Sequence, residues 1–506
     1  MKRDGNTLSL WQESPVPGIP RRVTTDTSFD VIIIGAGITG ITTALMLQES
    51  GRNCLVLEAH NIGFGTSSGT TAHLNTMLDT PYTEISRNFG DNAASLTAKG
   101  ARKAITIIRD YTQKLSIECD FTICNGYLYA ADSAEDEMLQ QIATEANKAG
   151  VPVKFTTGFP GPMPFTKAVR FQEQACFNPA KYLLALAKAF TEAGGTIQEQ
   201  RPVSKVTESG NVQLVYTPGQ TYTAESVVHA THTPMGINIM SFRLAPYRSY
   251  VIAAELEDEQ LYPDGLIYDL QDPYHYYRTA LSNGKKLLVA GGNDHKTGHE
   301  INTEPVFREL EAYIKKFYPV KKIHYRWSSQ YYDSTDGLPY IGHFPGGNSQ
   351  EYVATGFGGN GMIFGTLSGK ILSDLILSGE SEYAALFSPS RIKPLAGFKN
   401  FVKENADVLK HFVADRLSKN GISALSDLAG GEGAIVQYEQ ARIALYKNEQ
   451  GALSALDPVC RHAGCIVQWN TAEKSWDCPC HGARYAPDGT VLNGPVTVPL
   501  KKIDLI

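Results

Sequence analysis

The chain has no long basic run, no uninterrupted apolar stretch of the ~18 residues that a membrane-spanning helix needs, and only eight cysteines in 506 residues. Each shortage excludes something. Forty-six basic residues against 52 acidic ones give no electrostatic case for nucleic acid or for an anionic membrane as partner. The opening segment MKRDGNTLSLWQESP lacks the apolar core of a secretory signal. Four of the cysteines, Cys54, Cys119, Cys124 and Cys176, are scattered without framework spacing, which suits a reducing compartment, so we expect a cytoplasmic protein. There is no internal repeat and no low-complexity segment. What is present, 42% apolar and 19% charged residues, suffices for two or three domains with substantial cores.

The other four cysteines crowd into CRHAGCIVQWNTAEKSWDCPCH. Cys460 and His462 form C-x-H, fifteen residues intervene, and Cys478 and His481 form C-x-x-H, so each loop offers one thiolate and one imidazole. A structural zinc site usually pairs two cysteines in one loop with two His or Cys in the other, whereas a Rieske [2Fe-2S] centre places two Cys on one iron and two His on the other. The mixed pairs fit the second demand, with mononuclear zinc as the alternative. From about Leu428 to the C-terminus the sequence resembles the Rieske family, matching also its proline loop at Gly494-Pro495 and the segment Gly482 to Tyr485. The resemblance implies that Cys460, His462, Cys478 and His481 hold the cluster, and that Cys465 and Cys480 form a disulfide tying the two loops together. It departs at Ala483, where high-potential members carry a serine that hydrogen-bonds a bridging sulfide; the tyrosine that donates to a ligand sulfur is retained as Tyr485. With one donor fewer, the potential is expected below that of the respiratory-complex centres.

Near the N-terminus, Phe29 to Ile34 is an apolar, β-branched run followed at once by Gly35-Ala36-Gly37-Ile38-Thr39-Gly40 and a helical pattern through Leu47. In this strand, glycine turn and helix, Gly35 permits the tight turn, Gly37 lets a pyrophosphate approach the backbone, and Gly40 lets helix and strand pack closely. Glu58, closing the next strand, stands where a carboxylate binds ribose hydroxyls. Residues 335 to 378 supply a second strand ending at Gly356 and a glycine-rich approach to another helix. Both ends together resemble the D-amino acid oxidase superfamily of flavoproteins, particularly its glycine oxidase, sarcosine oxidase and gamma-glutamylputrescine oxidase branches. Further matches are Gly65-Thr66-Ser67, Asn178-Pro179-Ala180-Lys181-Tyr182 opening a helix, and Val227 to Ala230 leading into Thr231. The resemblance implies FAD, with Val203 at the adenine and Gly361 and Met362 near the isoalloxazine.

Residues 240 to 332 alternate apolar and polar positions with many tyrosines, which predicts an antiparallel sheet, the substrate lid of this superfamily. Arg278 falls where glycine oxidase-like relatives place an arginine that pairs with a substrate carboxylate, although Tyr277 replaces the usual preceding proline. His73, in the loop SSGTTAHLN, is expected to hydrogen-bond near the flavin rather than to attach it covalently, with a packed structural role as the alternative. Tyr250 and Tyr276 are candidates to line the site or to fill the core, and His275, His295 and His299 read as structural or solvent-facing.

The expected architecture is thus an α/β FAD-binding Rossmann-like domain with an antiparallel-sheet substrate domain, plus a C-terminal all-β Rieske domain. The boundaries are a leader (1–28) lying on the first domain, an FAD-dependent oxidoreductase unit (29–390), a helical linker (391–424) and a Rieske domain (425–506). Flavin and cluster put a two-electron and a one-electron carrier in series. The favoured function is dehydrogenation of a small amine or amino acid, with electrons passing from FAD to the cluster and on to an external acceptor. Alternatives are a reductase or monooxygenase fed by an external donor through the Rieske centre, disfavoured because no two-His-one-carboxylate iron set is evident, and a non-enzymatic redox sensor.

Overall fold

A computed structural model describes residues 2–13, 18–19, 24–300, 302–392, 428–438 and 441–505. From residue 393 on, the expected linker helix lies outside the described residues.

The nucleotide-type sheet is ordered Tyr340–His343, Glu351–Thr355, Gln220–His229, Ser28–Ile34, Cys54–Leu57, Thr196–Gln198. Its central pairs are parallel, and parallel strands buried on both faces favour the continuous β-branched run that the sequence shows at Val31 to Ile34. Helix Ile38–Glu49 follows the first strand and is crossed by helix Gly361–Ser378. They approach closely because Gly365 and Gly369 face Ile38, Thr39 and Thr42: a Cβ on Gly365 would lie 2.8 Å from Ile38 Cγ2. Gly361–Ser378 is long and apolar enough to cross a bilayer, but it is mostly buried inside this domain.

The second sheet is wider than residues 240–332. It runs Val320–Ser334, Leu244–Leu256, Lys285–Lys296, His275–Ser282, Leu266–Tyr268, Thr122–Ala130, Lys167–Cys176, His73–Leu74. The lid is antiparallel as expected up to Leu266–Tyr268, which then pairs in parallel with the much earlier strand Thr122–Ala130. Period-two alternation gives the sheet two different faces. Ser249, Val251 and Tyr276 look into a large cavity, while Tyr250, Ile252 and Tyr277 look the other way into a core with Phe307, Leu310 and Ile314 of helix Glu304–Lys315.

The C-terminal region is all β: a three-stranded sheet (Glu432–Tyr438, Ala441–Lys447, Leu453–Leu456) and a four-stranded one (Gln468–Asn470, Ser475–Asp477, Arg484–Tyr485, Val491–Asn493). The leader does more than lie on the first domain. Arg3 and Asp4 are buried between the lid sheet and the C-terminal region, where six charged side chains form a closed layer. Arg484 bonds Asp477 Oδ1 and Asp4 Oδ2, each at 3.0 Å. Arg248 lies 3.9 Å from Glu473 and 3.7 Å from Asp477, and Arg3 lies 3.4 Å from Glu473. Burial pushes the three carboxyls up, but the arginines win and hold Asp4, Glu473 and Asp477 below their ordinary values. Three positive and three negative groups balance, as a charged layer removed from water requires.

Candidate active site and metal centre

A cavity of about 900 Å³ extends from the first glycine turn to the lid sheet, and Thr490 to Pro499 of the C-terminal region supply part of its wall. At its nucleotide end Gly35 has φ +106°, and a Cβ there would stand 2.5 Å from Ala230 O. A Cβ on Gly40 would stand 1.9 Å from Gly35 O, so helix and strand meet at a distance that only glycine permits. Gly35, Gly37, Glu58, Thr66, Ser67, Val203, Gly361 and Met362 line the cavity. Gly40 and Gly356 do not. Gly40 lies behind the wall, and Gly356, with φ +74°, turns the chain between Leu244 and Ser334. Glu58 is held by the Ala36 and His60 N–H groups, each at 2.8 Å, while burial raises its carboxyl pKa. The positive φ at Gly35, the bare Cα of Gly37 at the cavity wall and the carboxylate at Glu58 fit a dinucleotide such as FAD.

At the other end the four candidate catalytic side chains divide. His73 and Tyr276 line the cavity; Tyr250 and Arg278 do not. Tyr250 is on the opposite face of its strand, against Phe307, with its hydroxyl on His295 at 2.8 Å. Arg278 shares a face with Tyr276 but is 3% exposed, donating to Ala72 O (2.8 Å) and Phe177 O (3.1 Å) beneath the Trp11 ring. Its charge is used to tie the leader, the His73 loop and the end of strand Lys167–Cys176 together. Of the histidines read as structural, His275 is buried on Asp269 and the Tyr313 ring, and His295 serves Tyr250.

No motif announces the network that orients His73. Asp79 N–H, which can only donate, bonds Asn360 Oδ1 at 2.9 Å. Asn360 Nδ2 then donates to Asn75 Oδ1 at 3.2 Å, and Asn75 Nδ2 to the Tyr268 oxygen at 2.6 Å. The Tyr268 proton is left for His73 Nδ1 at 2.7 Å. Burial, with the Arg278 charge beside it, keeps the imidazole neutral. Its single proton therefore sits on Nε2, which is buried without a hydrogen-bond partner. Asp79 opens its carboxylate to the cavity and accepts from Gly359 N–H at 2.6 Å, and burial raises its pKa to about 6. Asn75 and Asp79 stand in the mixed stretch HLNTMLD, which carries no motif.

In the C-terminal region the Cys460 and Cys478 thiols are free, buried and close enough to perturb each other's ionisation, and the His462 and His481 ring centroids are 4.7 Å apart. Nδ1 of both histidines is buried with no partner. Burial and the neighbouring His462 bring the His481 pKa down to about 4, so the ring is in the neutral form that binds metal. Two thiols and two orphaned imidazole nitrogens offer the donor types that a Rieske cluster requires. Cys465 and Cys480 are disulfide-bonded, and the Tyr485 hydroxyl, accepting from Arg461 N–H at 3.1 Å, turns its proton to Cys460 Sγ at 3.4 Å.

The two sites share a wall. Tyr332 lines the cavity and donates to His481 O at 3.2 Å, while Gln330 Nε2 donates to Gly482 O at 2.9 Å. Gly482 has φ +71°, and a Cβ there would lie 2.8 Å from the Tyr332 hydroxyl. On the other side His462 Nε2 bonds Gly236 O at 3.2 Å, and Pro495 O accepts from Gly236 N–H at 2.9 Å.

Comparisons with known proteins agree with this division. The family model for FAD dependent oxidoreductases (DAO) matches residues 30–375 and that for the Rieske [2Fe-2S] domain residues 419–504. A Bacillus subtilis protein, YhfW, a Rieske 2Fe-2S iron-sulfur protein by name, is 33% identical over 98% of this chain and 97% of its own. Gamma-glutamylputrescine oxidoreductase of Escherichia coli is 24% identical over 73% of this chain and 88% of its own. The crystal structure of glycine oxidase from Geobacillus kaustophilus superposes with a TM-score of 0.62 at 19% identity, covering 72% of this chain and 99% of that one, a likeness of fold. The chain belongs to the FAD-dependent oxidoreductases of the DAO family, with a Rieske domain at its C-terminal end, and its cofactors are FAD and a [2Fe-2S] cluster.

Proposed function

We propose that this enzyme oxidises a C–N bond of a small amine or amino acid and sends the electrons through the cluster to an external acceptor. FAD supplies two-electron chemistry and the cluster one-electron transfer. The substrate loses two electrons and two protons to become an imine, which water hydrolyses after release. Gly35, Gly37, Glu58, Val203, Thr66 and Ser67 hold the dinucleotide, with Gly361 and Met362 at its reactive end. The Nε2 proton of His73 is presented to flavin or substrate in a tautomer fixed by the Asn360–Asn75–Tyr268 chain. Tyr276 and the lid strands exclude water. Cys460, Cys478, His462 and His481 hold the cluster. Relatives named for amine and amino acid oxidation support the chemistry. The observation that carries the electron route is Tyr332, one side chain that lines the cavity and bonds the His481 carbonyl. Electron transfer falls off steeply with distance, and the six-charge layer keeps this gap fixed.

Anaerobic mixing of the holoenzyme with a panel of amines and amino acids tests it, following flavin absorbance and the low-temperature EPR signal of the reduced cluster together. Bleaching followed by the cluster signal is expected. If no amine bleaches the flavin and a reduced carrier raises the cluster signal first, electrons run inward and the proposal falls.

A further inference from the structure

Resting on the amine-oxidising function above, we propose that the substrate is a cationic amine without an α-carboxylate, its ammonium held among the carboxylates and tyrosine rings at the lid end of the cavity. Among the described residues that line the cavity there is no arginine and no lysine. The buried arginines nearby are committed elsewhere: Arg278 to two backbone carbonyls, Arg248 to Ser328 and the charged layer. The tyrosine hydroxyls that could receive a carboxylate are also turned away from it. Tyr274 and Tyr331 donate to Asp294 Oδ2 at 3.1 and 2.7 Å, and the Tyr276 hydroxyl pairs with Ser249 Oγ at 2.9 Å.

Negative groups, in contrast, converge here. A Cβ on Gly358 would stand 3.3 Å from Asp79 Oδ2 and 3.2 Å from Asp333 Oδ1, so two carboxylates flank one backbone position in the cavity wall. Asp294 lies behind Tyr274 and Tyr331, with a buried Oδ1 that has no hydrogen-bond partner. Burial raises the carboxyl pKa of both Asp79 and Asp294, and the charge that acts on Asp79 is Asp294, of the same sign. A substrate carboxylate would meet this set at like charge in a desolvated space. An ammonium would instead donate charge-assisted hydrogen bonds to the carboxylates and lie against the faces of electron-rich rings.

Matched pairs that differ only by the carboxylate decide the matter: cadaverine against D- and L-lysine, putrescine against D- and L-ornithine, each mixed anaerobically with holoenzyme. In parallel, n-butylammonium and butyrate are titrated against the flavin absorbance, which reads binding without turnover. The decarboxylated member of each pair should bleach the flavin at least about ten-fold more efficiently, and butylammonium should bind at least about ten-fold tighter than butyrate, the equivalent of one charge interaction. Asp79→Asn should erase most of that preference while flavin content stays unchanged; if that variant does not fold, the wild-type titration alone decides. Preference for the amino acids, or tighter binding of butyrate, overturns the proposal. If no compound bleaches the flavin yet butylammonium still binds tighter than butyrate, the cation site stands and amine oxidation is what fails.

Discussion

The cluster site and the lid end of the cavity each rest on a few buried polar side chains, yet they are assembled in opposite ways. Cys460, His462, Cys478 and His481 come from two loops of one short segment, and two further cysteines lock those loops. Asp79, Asn75, Tyr268, Tyr274, Asp294 and Asn360 come from stretches up to 285 residues apart, from the lid sheet, the loop after His73–Leu74 and the start of helix Gly361–Ser378. The first site is therefore compact in sequence. The second depends on the whole fold.

The sharpest way to break this comparison is to damage the local site. Cys478→Ser should abolish the cluster and its EPR signal entirely, while an amine still bleaches the flavin, now without onward transfer. Loss of flavin bleaching in that variant would mean that the two sites are not separable. Next in size is the junction that holds them in register. Arg484→Met leaves Asp477 and Asp4 buried without their main partner and should cost about 3–5 kcal/mol, read as a fall in calorimetric Tm. The same layer sets an acid limit. The three carboxyls are lowered in the folded state, so their contribution is complete above the ordinary carboxylate pKa values, 3.8 for Asp4 and Asp477 and 4.5 for Glu473, and is lost as pH falls through the folded values.

Arg278 tests the other half. As a substrate clamp it would raise KM by orders of magnitude when removed. As the tie between the Ala72 and Phe177 carbonyls it should, as Arg278→Met, cost about 1–3 kcal/mol of stability and leave KM for an amine nearly unchanged. Smaller still is a pH effect at Asp79. With its carboxyl pKa near 6, and Asp294, Asp333, Tyr268, Tyr274 and Tyr276 as its titratable neighbours, it is ionised above that value and protonated below it. Butylammonium affinity should therefore be flat above about pH 7 and fall up to about ten-fold per unit below pH 6. A flat profile through pH 5 would remove Asp79 from the site.

The central strands of the first sheet, the lid strands between residues 240 and 332 and the glycine turn were legible because each leaves a periodic or short-range mark, whereas the continuation of the lid sheet through Thr122–Ala130 and Lys167–Cys176 leaves none. The cluster donors proposed from C-x-H and C-x-x-H rest on the same kind of short-range mark. Arg278 and Tyr250 misled for a reason that the sequence cannot display. Alternation says that Tyr250 and Tyr276 lie on strands, but which face is the cavity is decided by where helix Glu304–Lys315 packs. Arg278 is on the cavity's face, and only the positions of Ala72, Phe177 and Trp11, each remote in sequence, show that its charge is spent. The part of the leader in the charged layer was not legible, because it depends on Arg484 and Glu473, more than 460 residues away.

The smallest expected effect lies inside the legible site. Ala483 is fully buried, and its carbonyl accepts from Cys478 N–H at 2.8 Å, so its Cβ is held fixed beside a ligand cysteine. Ala483→Ser adds one hydroxyl at a fully buried position. In the cluster-free protein that hydroxyl is a buried donor with no acceptor and should lower Tm. With the cluster bound, a sulfide can accept it, which withdraws electron density from the cluster and favours the reduced state. Ala483→Ser should therefore raise the midpoint potential in an EPR-monitored redox titration and narrow the stability gap to wild type once the cluster is loaded. An unchanged potential with an unchanged gap would show that the serine hydroxyl does not reach the cluster, and that Tyr485 and the Gly236 carbonyl on His462 set the potential instead.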